Sequence, residues 1–95
     1  MNYYKERIEF IKKMAEVLSV TTDFGGVHYA RENATNQEYI KVFNTLGNAY
    51  FINITSHDLE MILYETMSVL MGKMPDSMVD RVEDKRRVAR LFKVA

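Results

Sequence analysis

The chain contains no cysteine. Disulfides, thiol nucleophiles and zinc–thiolate centres are therefore excluded by composition. Charge of one sign is also missing: 13 Lys and Arg balance 13 Asp and Glu, so no whole-molecule field favours nucleic acid or an anionic membrane. No apolar run approaches the ~20 residues that span a bilayer. The first residues, Met1 to Glu9, are polar and charged with no apolar h-region, so no secretory signal is expected. These absences together predict a soluble cytoplasmic protein. Histidine occurs only at 28 and 57 and proline only at 75, so the residue types for general-base work are few. The glycine pair Gly25-Gly26 has neither a Walker lysine pattern nor a dinucleotide fingerprint and reads as a turn.

What is present suits one small domain over residues 1–95. The stretch from Ala49 to Met74 is the most ordered in pattern. Tyr50, Ile52 and Ile54 alternate with Phe51 and Asn53, which predicts a strand over 49–54. A helix over 56–72 follows almost without a loop. Ser56 or Thr55 is its expected N-cap, and Asp58 and Glu60 complement its N-terminal dipole. Leu59, Ile62, Leu63, Met67 and Leu70 form the expected apolar stripe. Gly72 and Pro75 supply the stop.

Upstream, residues 3–20 read as an amphipathic helix capped by Asn2, with Tyr4, Ile8, Ile11, Ala15 and Leu18 on one stripe and Met14 beside it. A turn at 23–26 leads to strands at 27–32 and 38–44, separated by the turn Asn33–Asn36 and followed by a hairpin connection over 45–48. Downstream of Pro75, a third helix is expected from about 76 to 92, capped by Asp76 or Ser77. Its charged run 83–87 and basic end allow a partly disordered tail over 83–95. The expected fold is α+β, in the order α-β-β-β-α-α: a three-stranded antiparallel meander with helices packed on one face. The other face collects Tyr39, Lys41, Phe43, Phe51 and Asn53.

That open aromatic face is the first candidate surface. Tyr39, Lys41, Phe43 and Phe51 suit a protein partner or a homodimer, because contiguous exposed apolar patches mark interfaces. They also suit stacking of single-stranded bases, while the bland alternative is cover by the third helix or the N-terminal turn. Met61 and Met71, off the main stripe, suit a second partner contact because thioethers adapt to irregular surfaces. Lys85, Arg86, Arg87, Arg90 and Lys93 are candidate phosphate contacts, or a solvated face paired with Asp76, Asp80, Glu83 and Asp84.

No catalytic set emerges. His57 beside Asp58 and Glu60 is the nearest approach to a histidine–carboxylate base, without a nucleophile or oxyanion loop. With His28, these residues lack the helical ligand spacing of a metal site. No cofactor and no small-molecule substrate are expected.

In topology, the α-β-β-β-α order resembles double-stranded RNA-binding domains. That family relies on a lysine-rich start to its second helix. Here the corresponding Ser56-His-Asp-Leu-Glu60 is acidic and would repel phosphate. The α-β-β-β-α-α order is similar to that of small phage-encoded inhibitor proteins, some anti-CRISPR proteins among them, and this likeness implies a phage or mobile-element protein. The expected function is a small non-enzymatic interaction or self-association module, the alternative being a nucleic-acid-binding protein using residues 85–93 and the sheet aromatics.

Overall fold

The computed structural model describes residues 3–20, 26–43 and 46–93. Helix α1 (Tyr3–Ser19) precedes strands β1 (Val27–Glu32), β2 (Gln37–Phe43) and β3 (Ala49–Asn53), and helices α2 (Leu59–Leu70) and α3 (Val82–Leu91) follow. The α+β class and the order α-β-β-β-α-α are those the sequence pattern predicts. The sheet is an antiparallel meander in the order β1-β2-β3. The Asn2 cap, the turn residues 23–25, the hairpin's Thr45 and the last two residues of the expected tail lie outside the described residues.

Register explains the core. Val27 pairs with Val42 and Val42 with Tyr50, while Tyr29 pairs with Ile40 and Ile40 with Ile52. Cross-strand partners share a face, so these residues make one continuous apolar surface. Ile11, Met14 and Ala15 of α1 and Ile62 and Val69 of α2 pack on it, together with Ile54. Each fully buried Ile or Val contributes roughly 1.5–3 kcal/mol.

The other face is covered as well. Tyr39 and Phe51 pack with Val88 of α3, joined by Val79, Ala89, Leu91 and Phe92. The Phe51 and Phe92 rings lie 5.7 Å apart between centroids, tilted by 39°, an ordinary aromatic pairing. Helices therefore occupy both faces: α1 and α2 where expected, and α3 opposite them. The charged run 83–87 forms the first half of α3, and the apolar residues after it dock the helix. Residues 83–91, allowed as a tail, lie within α3.

Between α2 and α3 the chain returns along the free edge of β3. Ile52 and Met78 form an antiparallel bridge. Asn53 N–H donates to Ser77 O at 3.0 Å, and Val79 N–H donates to Phe51 O at 2.9 Å. This covers an edge that would otherwise stand open. It also delays α3 to Val82, because residues 77–79 give their backbone bonds to β3 and cannot be helical. Asp76 and Ser77 are consequently not its caps.

Helix α2 is shorter than expected and turned about its axis. Its N-cap is Asp58, whose Oδ1 accepts from Met61 N–H at 2.8 Å. Thr55 is spent elsewhere: its hydroxyl accepts from Glu38 N–H at 2.9 Å. Ser56 takes a left-handed φ of 65° before the helix begins. The buried side comprises Ile62, Glu65, Thr66, Ser68 and Val69. Leu63 and Met67, expected to be buried, are 42% and 39% exposed. The helix presents Glu65 and Ser68 toward the returning strand instead, and their polar groups are buried there.

Candidate functional site

Two surfaces carry chemistry. The first is a cleft of about 500 Å³ between α2 and residues 73–77, lined in part by His57, Met61, Glu65, Met74 and Ser77. The β3–α2 turn supplies His57, the inner side of α2 supplies Glu65, and the edge-strand return supplies Ser77. Ser77 Oγ donates to Glu65 Oε1 at 3.1 Å and lies 3.5 Å from His57 Nε2. His57 Nδ1 is 3.6 Å from Glu65 Oε1, too long for a hydrogen bond. Glu65 is 5% exposed. Its Oε2 and His57 Nδ1 are both buried without a hydrogen-bond partner among the described residues.

The sequence pattern paired His57 with Asp58 and Glu60. Asp58 instead caps α2, and both acids are exposed. The carboxylate that meets His57 is Glu65. Its signal was legible: it is a lone acid in the apolar run Met61–Met71. Ser77 had no such signal, because it arrives through the edge-strand return. His28 is exposed on β1, and among the described residues no three His, Asp or Glu side chains converge as a metal centre requires.

The second surface is the outer side of α2. Leu63, Tyr64, Met67 and Met71 are all exposed, with Met61 and Met74 flanking them. Of the two predicted contacts, Met71 belongs to this outer face and Met61 borders the cleft.

The predicted sheet-face residues are divided. Tyr39 and Phe51 are 3% and 9% exposed beneath α3 and stack on nothing from solution while it is docked. Lys41 and Phe43 are half-buried, with the Lys41 ammonium 4.6 Å from the Phe43 ring centre, a cation–π contact. The basic cluster is divided too. Arg87 binds the Glu32 carboxylate from above β1 and pairs with Asp84 at 3.7 Å. Glu32 also accepts from Thr35. Its carboxyl is held below the usual value by the Thr35 hydrogen bond first and Arg87 second. Arg87 is raised above the usual arginine value, first by its contact with the Tyr39 hydroxyl and then by Glu32. Lys85, Arg86, Arg90 and Lys93 are exposed on or just beyond α3.

Comparison of the chain with known protein families, with curated proteins and with solved structures found no match. Among the described residues no helix is long and apolar enough to cross a membrane.

Proposed function

We propose that the protein is a non-enzymatic, cytoplasmic interaction module that associates with a second copy of itself through the outer face of α2. The observation that carries this reading is the contiguous exposed row Leu63, Met67 and Met71, beside Tyr64. Exposed apolar patches of this kind mark interfaces, and flexible thioethers let one surface fit another without a rigid match. Charge does not oppose a second copy as the occupant. Between Glu60 and Lys73 the only charged side chain is Glu65, which is buried. Two copies meeting across this face in an isologous pair bring no like charges together at its centre. Amide spectra recorded through a dilution series test the location. Concentration-dependent shifts confined to α2 support the pairing, and shifts centred on the β1–β2 turn would place the contact elsewhere.

A second reading is supported by α3. Lys85, Arg86, Arg90 and Lys93 are exposed, and no ion pair engages them among the described residues. Arg86, Arg90 and Lys93 recur at helical spacing on one side, a row suited to phosphates. Binding of labelled oligonucleotides that weakens steeply between about 50 and about 200 mM salt, and is lost in the Arg86→Gln/Arg90→Gln variant, supports it. Absence of binding at the low-salt end removes it.

A further inference from the structure

We propose that the cleft between α2 and residues 73–77 is a binding site for an alkyl-guanidinium or alkyl-ammonium group, held by Glu65 and His57. The inference goes beyond self-association and does not rest on it.

The hydrogen-bond inventory of the cleft is one-sided. Ser77 has a single hydroxyl proton, and it goes to Glu65 Oε1 at 3.1 Å. The Ser77 oxygen can then only accept from His57 Nε2, 3.5 Å away, so the ring proton of neutral His57 belongs on Nε2. His57 Nδ1 is left as an acceptor 3.6 Å from Glu65 Oε1, and the other oxygen of that carboxylate, Oε2, is also unpartnered among the described residues. A buried carboxylate oxygen without a donor is costly, and buried polar groups are otherwise satisfied. Two buried acceptors to which no donor is bonded among the described residues suit a ligand that brings N–H groups and positive charge.

The walls fit the rest of such a ligand. Met61 and Met74 line the cleft together with the acid, so an alkyl stem finds thioether and methylene surface while its head reaches Glu65. Tyr64 also lines the cleft, and an aromatic ring there suits a cation. An anion would meet Glu65, and a neutral ligand would leave its charge uncompensated. Lys73 also lines the cleft but makes no ion pair with Glu65 among the described residues. A guanidinium presents several coplanar donors and no acceptor, which matches the inventory. The head group can come from a small amine or from an arginine or lysine side chain of a peptide.

The test is a titration of the unaltered protein, labelled with ¹³C at the methionine methyls, with n-butylguanidinium and separately with n-butylurea. The two probes share a shape and differ in charge. Saturable shifts at Met61 and Met74 with butylguanidinium, and none with butylurea, are expected. Glu65→Gln retains an oxygen for Ser77 and is expected to weaken binding roughly tenfold to a hundredfold, the range for a hydrogen bond to a charged group. N-acetyl-arginine amide distinguishes the sources: tighter binding than butylguanidinium assigns the site to a peptide side chain, and weaker binding assigns it to a free amine. Equal binding of the urea, no binding of either probe, or an unaffected Glu65→Gln protein would overturn the proposal. If that variant does not fold, the comparison of the two probes on the unaltered protein decides alone.

Discussion

Arg7 shares a helical row with Ile11 and Met14 and is nearly as buried, at 7% exposure. Its guanidinium reaches Glu38 at 3.1 Å and donates to Ile54 O at 3.0 Å. Glu38, itself 3% exposed, also accepts from the Tyr29 hydroxyl at 2.7 Å. The pair therefore ties α1 to the middle strand of the sheet inside the core. Removing one member leaves the other charged and buried, which costs about 3–5 kcal/mol. Arg7→Met is expected to lower stability by about that amount, read from the midpoint of urea unfolding; a midpoint equal to that of the unaltered protein would show that the pair contributes nothing. Neither residue stood out in the sequence. Charged residues on an amphipathic helix are assigned to solvent by default, and Arg7 lies on the edge of the apolar stripe. Glu65 was legible as a lone acid in an apolar run, but the His57 and Ser77 that it meets were not legible as its partners. What makes these residues important is a partner supplied by a distant element, and periodicity carries no information about that partner.

At the scale of elements, local pattern served better. The alternation of Tyr50, Ile52 and Ile54 and the stripe of α1 located their elements, because each follows from near neighbours. Boundaries moved where a residue's hydrogen bond went to another element. Thr55 was a ready cap but accepts from the Glu38 amide, and residues 77–79 were helical in pattern but bond to β3. α3 depends most on such contacts. It docks through Val88 and Phe92 and is latched to β1 by Arg87 and Glu32. The latch has a defined pH dependence. The folded-state Glu32 carboxyl lies below the ordinary 4.5, so its stabilisation is fully present above that value. It is lost as pH falls below 4.5 through the lower folded value. The protection of the α3 amides, relative to intrinsic exchange at each pH, is expected to fall over that interval to the extent that Arg87, the second cause of the shift after Thr35, sets it. Because Arg87 is 44% exposed, Glu32→Gln should cost no more than about 1 kcal/mol while flattening this acid response. An unchanged response in Glu32→Gln would assign the acid sensitivity to other carboxylates.

For the whole molecule, the three layers leave the sheet faces satisfied and place the largest group of exposed apolar side chains on and beside α2, with Phe10 and Val17 exposed on α1. The aromatic residues Tyr39 and Phe51, which in the sequence looked free, are covered by the third helix. Leu63 and Met67, which looked like core, are exposed. Two features account for the exchange: α3 packs on the far face, and Glu65 and Ser68 of α2 lie inward beside residues 73–77. A surplus of apolar surface was legible in the composition, but its location was not, because it depends on which side the last helix takes. Self-association through α2 is the central claim, and the molar mass in solution tests it most directly. Light scattering over a wide concentration range is expected to show a monomer giving way to a dimer, with Leu63→Glu and Met67→Glu each holding the protein monomeric without loss of its helical circular dichroism. A monomer at every concentration, or a dimer that survives both substitutions, would contradict the account.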